Sequence, residues 1–163
     1  MPKFPVNGVE IYYEVHGEGF PLLWSHEFAG DYTSLEPQVD FFSRRYQVIT
    51  YSARGYLHKE SGKYRLALRD FDRALDIDAK FADAYNNRAD VYLSIKQPQE
   101  AVGDLDEAIR LDPKFAIAYV NRSFAWTMMG RDTEADEDVE TATAMGLDRD
   151  IIVAKIEELK TQR

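Results

Sequence analysis

The sequence predicts an α+β chain: an array of three helical hairpins with a C-terminal capping helix, preceded by a small α/β segment of three strands and one helix. Two observations predict this class. From about residue 48 on, apolar residues at helical spacing occur in paired runs that repeat every 34 residues. Before that point, short runs rich in β-branched and aromatic residues alternate with turns. The chain is therefore divided into a segment over 1–51 and a helical array over 52–163.

The clearest hairpin lies in the middle of the chain. Two amphipathic runs, Ala82–Ile95 and Pro98–Leu111, are separated by a two-residue break. Pro98 suits the first helical position, where its missing N–H removes no hydrogen bond. Pro113 then ends the second run, because proline cannot continue a helix. This pattern predicts two antiparallel helices joined by a short turn.

The hairpin recurs at a fixed spacing. The small residues expected at the helix crossing are Ala67, Ala101 and Ala135, each 34 residues from the next. A helical hairpin with this period and these small positions resembles the tetratricopeptide repeat family. The resemblance implies a stacked array and a groove, lined by the first helix of each unit, in which peptides bind. The predicted units cover about 48–81, 82–115 and 116–149.

A last helix is expected after the third unit. Gly146 breaks the chain, and Asp148 is a suitable N-cap for a helix over 149–160. Its isoleucines form one apolar face, while acids and lysines form the other. Repeat arrays end in a helix of this kind, which covers the last hairpin.

A second regularity concerns charge. Three arginines are each followed sixteen residues later by an aspartate. In an antiparallel hairpin these positions face each other, so we expect partly buried structural ion pairs that hold each hairpin in register. The alternative, an anion-binding ladder, would require the arginines to be free. The pairs are Arg54 with Asp70, Arg88 with Asp104, and Arg122 with Asp138.

The N-terminal segment has a different pattern. Strands are predicted over Val9–Val15, Pro21–Ser25 and Tyr46–Tyr51, with a helix over Ser34–Arg45 and the first repeat helix beginning near Ser52. The stretches NGVEIYYEVHGEG, PLLWSHEFAGD and YQVITYSARGY resemble the start of the α/β-hydrolase family, over about 1–56.

The hydrolase resemblance stops before the catalytic part. A hydrolase would continue to a G-x-S-x-G nucleophile elbow, an acid and a histidine. The sequence has no G-x-S-x-G, and His58 is its only histidine after Tyr56. We therefore predict a truncated segment, no catalytic residues and no enzymatic activity.

Composition excludes several classes of function. The formal net charge is −9, which disfavours binding to nucleic acid or to an anionic membrane. There is no cysteine, and the three histidines have no ligand spacing, so we expect no metal site and no cofactor. No signal peptide or transmembrane run is apparent. A cytoplasmic protein is expected.

The resemblance places a binding surface in the groove. Asn87 and Asn121 occupy equivalent positions, and side-chain amides can hold a peptide backbone at both its N–H and its C=O. Apolar side chains beside them would form a pocket, or would instead pack on another part of the same protein. The predicted groove residues are Asn86, Asn87, Asp90, Ile117, Val120, Asn121, Phe124 and Met128.

One subgroup of the family captures C-terminal carboxylates with a clamp of basic residues and asparagines. Carried over by position, that clamp would require basic residues where this chain has Ser52, Ile117 and Asn121. Only Asn87 matches. The resemblance therefore does not extend to carboxylate capture.

The function predicted from the sequence is a non-catalytic protein–protein interaction module that binds a peptide or protein segment in the groove. The N-terminal strands have too few neighbours to cover them. We therefore expect that segment to dock on the repeats or to build a sheet across a homodimer. Two alternatives stay open: an esterase-like hydrolase relative whose activity is completed in trans, and a fusion or engineered chain with no selected ligand.

Overall fold

The computed structural model describes residues 3–6, 9–12 and 51–162. Seven helices, joined by short turns, make up the part from 51 to 162. The first, α1, is described over 51–60. The others are α2 (Tyr64–Ile77), α3 (Ala82–Ser94), α4 (Pro98–Leu111), α5 (Ala116–Met128), α6 (Asp132–Ala144) and α7 (Arg149–Lys160).

The helices pair in chain order. α3 packs on α4 and α5 packs on α6, so each pair forms a hairpin; α4 also packs on α5, and α2 on α3, which joins neighbouring hairpins. We call α1 with α2 unit 1, α3 with α4 unit 2, and α5 with α6 unit 3. Because each unit contacts the next along the chain, the described helices form an array.

Small residues allow the helices to approach. Ala67, Ala101 and Ala135, the three alanines predicted at the crossings, have 0%, 0% and 1% of their surface exposed. Around them lie larger apolar side chains, such as Leu105 in unit 2 and Phe71 in unit 1. Burial of these apolar surfaces is the main stabilising contribution to each hairpin.

Gly55 and Phe71 form the tightest crossing. A Cβ atom at Gly55 would lie 2.9 Å from the Phe71 ring, closer than carbon atoms approach in proteins. Phe71 is fully buried, so its ring has little room to move aside. Glycine is therefore required in α1 by the size of the side chain opposite it.

The turn inside each hairpin requires a left-handed residue. Gly62, Lys96 and Gly130 lie 34 residues apart and have φ angles of 68°, 59° and 76°. Glycine adopts this region without steric cost, whereas a residue with a Cβ atom does not. Lys96 is the exception in the set, and unit 2 contains backbone strain at this turn.

Helix α7 covers the end of the array. The Asp148 carboxylate accepts hydrogen bonds from the backbone N–H groups of Asp150, at 2.9 Å, and Ile151. Ile152 and Ile156, with 4% and 3% of their surface exposed, pack on unit 3. The opposite face carries charged side chains paired with one another, such as Lys155 with Glu158. One apolar and one polar face are what a terminal helix requires.

The α+β class predicted from the sequence is wrong, since residues 51–162 form an all-helical array and the other described residues form a single two-stranded hairpin. The strand predicted over Val9–Val15 corresponds to the short β2 (Val9–Tyr12), which pairs antiparallel with β1 (Lys3–Val6). Tyr51, predicted to end the third strand, is helical and packs in the cluster around Phe71. Packing between helices outweighs the strand propensity of that tyrosine.

Other elements predicted for the N-terminal segment lie outside the described residues. These are the strand over Pro21–Ser25, the helix over Ser34–Arg45, and residues 46–50 of the third strand. The first repeat helix, predicted to begin near Ser52, already includes residue 51. Among the helices from 51 to 162, none combines the length and apolar character needed to cross a bilayer.

Candidate functional site

The first helices of the three units share one face of the array. We define the groove face as the side chains that α1, α3 and α5 contribute there. Hydrogen bonds between these helices join Asn121 to Asn86 and Lys59 to Asp90. Its members are Ser52, Ala53, Tyr56 and Lys59 in α1, Asp83, Asn86, Asn87 and Asp90 in α3, and Ile117, Val120, Asn121, Phe124 and Met128 in α5.

Three amides are connected across the middle of the groove face. Asn121 Nδ2 donates to Asn86 Oδ1 at 2.9 Å, which joins α5 to α3. Asn86 Nδ2 in turn donates to Asn87 Oδ1 at 3.5 Å. Asn86 is the buried member, with 6% of its surface exposed. The network orients the outer two amides, since each shares a hydrogen bond with Asn86.

A lysine and an aspartate join units 1 and 2 on the same face. Lys59 Nζ donates to Asp90 Oδ2 at 2.5 Å. Burial alone would lower the pKa of Lys59, but the hydrogen bond and the charge of Asp90 outweigh it, so the pKa is raised. Asp90, one of the predicted groove residues, is thus paired with a cation of the neighbouring unit.

The apolar end of the groove face is partly covered. Val120 and Phe124 pack against the cluster that contains Ile152 and Ile156 of α7. The sequence left open whether these apolar side chains form a pocket or pack on another part of the protein; Val120 and Phe124 pack against this cluster of α6 and α7 side chains. Ile117, by contrast, has 46% of its surface exposed. Met128 is half-buried.

An open depression lies at the other end, between α1 and α3. Its volume is about 490 Å³, and its lining is mostly apolar. Tyr56 and Leu57, with 48% and 64% of their surface exposed, belong to it. The remaining lining residues are Ser52, Ala53, Phe81, Asp83 and Asn87.

The arginines lie inside the hairpins and each one binds the aspartate sixteen residues later. In all three units Nε donates to one carboxylate oxygen at 2.8 Å and Nη2 to the other at 2.6–2.7 Å. This bidentate geometry is the strong form of the ion pair. The pairs are Arg54 with Asp70, Arg88 with Asp104, and Arg122 with Asp138.

Two of these arginines also reach back to the preceding unit. Arg88 Nη1 donates to Asp72 of unit 1 at 2.6 Å, and Arg122 Nη1 donates to Asp106 of unit 2 at 2.7 Å. We call these contacts the inter-unit bridges. Because all three guanidinium groups are engaged by carboxylates, the arginines are not free to form an anion-binding ladder.

Unit 1 completes its ion pair differently. His58 Nδ1 lies 2.9 Å from Asp70 Oδ2, the oxygen that also accepts from Arg54 Nε. Burial would raise the pKa of Asp70, but its hydrogen bonds with Arg54 and His58 outweigh that effect and lower the pKa. The carboxylate therefore stays ionised although only 1% of its side chain is exposed.

Comparison with known proteins identifies the array. A model of the tetratricopeptide repeat matches residues 82–115, and a second repeat model of this kind matches 55–96. The second repeat domain of Spaghetti (RPAP3), bound to the HSP90 peptide SRMEEVD, is 34% identical, with a TM-score of 0.60; the match covers 61% of this chain and 92% of that one. The chain belongs to the tetratricopeptide repeat family.

A second solved structure gives the same result. The second tetratricopeptide repeat domain of human RPAP3, in complex with the HSP70 peptide SGPTIEEVD, is 31% identical. The TM-score is 0.65, and the match covers 72% of this chain and 98% of that one. The resemblance predicted from the 34-residue spacing is confirmed for the helical part of the chain.

A curated relative bears on the rest of the chain. Over 55 residues the chain is 36% identical to the putative carbamate hydrolase RutD of Azorhizobium caulinodans. These residues make up 34% of this tetratricopeptide repeat protein and span 21%, about a fifth, of that hydrolase. The likeness supports a hydrolase-related stretch, without carrying that protein's activity to this chain.

Some contacts of the site were not predicted from the sequence. The sequence does contain a signal for the inter-unit bridges, because Asp72 and Asp106 each precede an arginine by sixteen residues. The sequence contains no such signal for the Lys59–Asp90 pair. The positions 34 residues later hold Leu93 and Phe124, which cannot form an ion pair, so the pair does not repeat.

Proposed function

We propose that this tetratricopeptide repeat protein is a non-catalytic, cytoplasmic interaction module that binds an extended peptide or protein segment along the groove face. The observation that supports this most is the amide row of Asn121, Asn86 and Asn87 beside an open depression. Polar groups next to an apolar cavity are the usual composition of a ligand site.

The outer amides suit a peptide backbone. Asn86 uses its amide oxygen for Asn121 and its amide nitrogen for Asn87. This leaves the Asn87 nitrogen as a donor and the Asn121 oxygen as an acceptor for a ligand. An extended peptide presents a C=O and an N–H with the same complementarity, whatever its side chains.

The neighbours support the proposal. The two RPAP3 domains, 34% and 31% identical to this chain, are each described in complex with a peptide. A groove face of the same architecture here is expected to take a peptide as well. The fold alone would not justify this step, because one fold serves many functions.

A binding experiment tests the proposal. The full chain, immobilised, is used to capture proteins from a cell extract, in parallel with a variant carrying Asn87→Ala and Ile117→Asp. Both changed side chains lie on the groove face, and neither belongs to the buried core. We expect a partner captured by the parent chain to be lost with this variant.

The control variant also carries two substitutions, but they lie on the second helix of a hairpin, away from the groove face. Thr133→Ala and Glu137→Asp change two exposed residues of α6. Partner capture equal to that of the parent chain is expected with this control. A partner retained by the groove variant and lost by the control would contradict binding on the groove face.

We propose in addition that the N-terminal segment docks on the repeats or links two copies of the chain. The support is the apolar character of its predicted strands, which have few predicted neighbours. Size-exclusion chromatography with light scattering tests the dimer. A monomeric mass at every concentration, without binding of a hydrophobic dye, would contradict it.

A second candidate function is an esterase-like activity completed in trans by a partner chain. The likeness to the putative carbamate hydrolase favours it over other enzymatic functions. Incubation with p-nitrophenyl esters and with a serine-reactive fluorophosphonate separates the two candidates. The interaction module is expected to show neither turnover nor labelling, whereas label on a serine of this chain would favour the hydrolase.

A further inference from the structure

The depression between α1 and α3 has a chemistry of its own. Its walls come from Ala53, Tyr56 and Leu57 of α1 and from Phe81 before α3. Two of these side chains are large, apolar and about half exposed or more. A site of about 490 Å³ with such walls is large enough for one bulky apolar side chain of a ligand.

The rim of the depression carries an unmatched negative charge. Asp83 is exposed and belongs to the lining. In the part of the chain that the structure describes, no ion pair involves Asp83, whereas the other acid of the face, Asp90, is bound to Lys59. A ligand with a cation beside its apolar side chain would supply the missing counter-charge.

The described groove face offers no unpaired cation to an acidic ligand. Lys59 is the cation of the described groove face, and its ammonium group is already held by Asp90 at 2.5 Å and by Glu60 at 3.2 Å. Where the carboxylate-binding subgroup has basic residues, this chain has Ser52, which is buried, and Ile117. Desolvating a carboxylate here would cost free energy that no neighbouring cation offsets.

We propose that the groove face selects an internal peptide segment in which a bulky apolar residue is next to a lysine or arginine, and that it disfavours an acidic C-terminus. The apolar side chain fills the depression, the cation pairs with Asp83, and the backbone lies along the amide row. The inference rests on the proposed peptide-binding function. It also predicts a preference opposite to that of the two neighbours, whose peptides end in EEVD.

Fluorescence anisotropy with short labelled peptides tests the preference on the full chain. The probes share a central Phe-Leu pair, flanked by lysines or by glutamates, and end in an amide or in a free carboxylate. We expect the lysine-flanked probe to bind about tenfold more tightly than the glutamate-flanked one, a difference that falls as salt is raised. Amidation should change affinity by less than about twofold.

Two variants assign the preference to the depression. Asp83→Lys should reduce the advantage of the lysine-flanked probe by about fivefold or more. Its control is Glu100→Lys, matched because both acids lie in the first turn of a helix. Ala53→Trp, which fills the depression, should weaken both probes about tenfold, whereas Ala144→Trp, at an exposed position of α6, should not.

The outcomes separate this inference from the proposed function. Tighter binding of the glutamate-flanked probe, or of the free carboxylate, would overturn the inference while leaving peptide binding in place. Failure of every probe, together with a partner that the groove variant retains, would overturn both. Circular dichroism of each variant shows whether it is folded.

Other occupants of the depression would also be detected. If the chain's own N-terminal segment fills it, Ala53→Trp should speed hydrogen exchange within residues 13–50. If a second copy fills it, the same change should lower the mass measured by light scattering. Either result would overturn the proposal, which requires that the depression be open to a ligand in the full chain.

Discussion

Unit 1 and unit 2 follow the same pattern with different residues at the helix crossing. In unit 1 the first helix contributes Gly55 and the second contributes Phe71, with the ring directly against the glycine. At the equivalent positions unit 2 has Ala89 and Leu105, both fully buried in one cluster. One side chain is larger where its partner is smaller. The repeat therefore fixes the combined size of the two side chains, not the identity of either.

The ion pairs of the two units differ in a second way. The Arg54 side chain of unit 1 is 48% exposed, whereas that of Arg88 in unit 2 is 19% exposed. Arg88 also binds a second acid, Asp72, from the preceding unit. In unit 1 the acid of the pair, Asp70, is shared between Arg54 and His58.

The largest effect is expected from Asp104→Ala in unit 2. The variant leaves the partly buried guanidinium of Arg88 with only Asp72, an exposed acid. Removing one partner of a buried pair costs several kcal/mol, so we expect a loss of about 3 kcal/mol in the free energy of unfolding. Urea denaturation followed by circular dichroism measures it.

Asp106→Ala is the matched comparison. Asp106 binds Arg122 across the inter-unit bridge, but its side chain is 56% exposed. We expect less than about 1 kcal/mol for this change. Equal effects of the two substitutions would mean that burial does not distinguish the bridges from the pairs inside the hairpins.

Gly55→Ala tests the fixed combined size at the crossing. The added methyl group collides with the buried Phe71 ring, and overpacking of this kind should cost about 2 kcal/mol. In the double variant Gly55→Ala with Phe71→Leu, unit 1 acquires the residues of unit 2. We expect the double variant to lose less stability than the two single changes added together.

The control for this test is Gly103→Ala, in the interior of α4. A methyl group there meets nothing within 4 Å. Because alanine is more favourable than glycine inside a helix, we expect the Gly103 variant to be stabilised by about 0.5–1 kcal/mol.

The outcome that would contradict a fixed combined size is additivity in the double variant. If the effects of Gly55→Ala and Phe71→Leu simply add, the crossing tolerates each residue independently.

Asp70→Asn tests the contribution of the unit 1 carboxylate to stability at different pH values. The pKa of Asp70 is lowered in the folded chain, so its ion pair stabilises the fold above about pH 4, the unfolded value. That stability is lost as the pH falls through the folded pKa. We expect the variant to be less stable by about 1 kcal/mol at pH 7. A difference that stayed constant down to pH 2 would contradict a role for ionisation.

The smallest effect is expected at the turn of unit 2. Lys96→Gly gives that turn the glycine that units 1 and 3 have in Gly62 and Gly130. Relief of the left-handed strain should stabilise the chain by about 0.5 kcal/mol. Thermal unfolding measures it, and a lower melting temperature would mean that the lysine side chain contributes a contact greater than the strain.

The helical array could be predicted because its signals are local and repeated. The 34-residue spacing of Ala67, Ala101 and Ala135 indicates three hairpins, and the sixteen-residue spacing between arginine and aspartate indicates which residues face each other. Each signal occurs three times, so chance agreement in one unit does not decide the result.

The prediction failed at Tyr51, where the strand pattern and the repeat pattern meet. Tyr51 lies in a run of residues that favour strand, and only its packing in the cluster of Phe71 makes it helical. The sequence left two interpretations of Val120 and Phe124, a pocket or packing on another part of the protein, because α7 is not a repeat helix and its contacts cannot be placed by counting. The Lys59–Asp90 pair likewise occurs once.

The inter-unit bridges make a whole unit an interchangeable segment. If residues 82–115 were deleted, Arg122 would follow Asp72 by sixteen residues and still precede Asp138 by sixteen. The shortened chain would re-form one inter-unit bridge, from Arg122 to Asp72 across the splice, and would keep the pair of Arg122 with Asp138 inside the hairpin. A deletion one residue longer or shorter would change the sixteen-residue spacing between Asp72 and Arg122 on which this bridge depends. Growth or loss of this protein by recombination is therefore expected to occur in steps of one complete repeat.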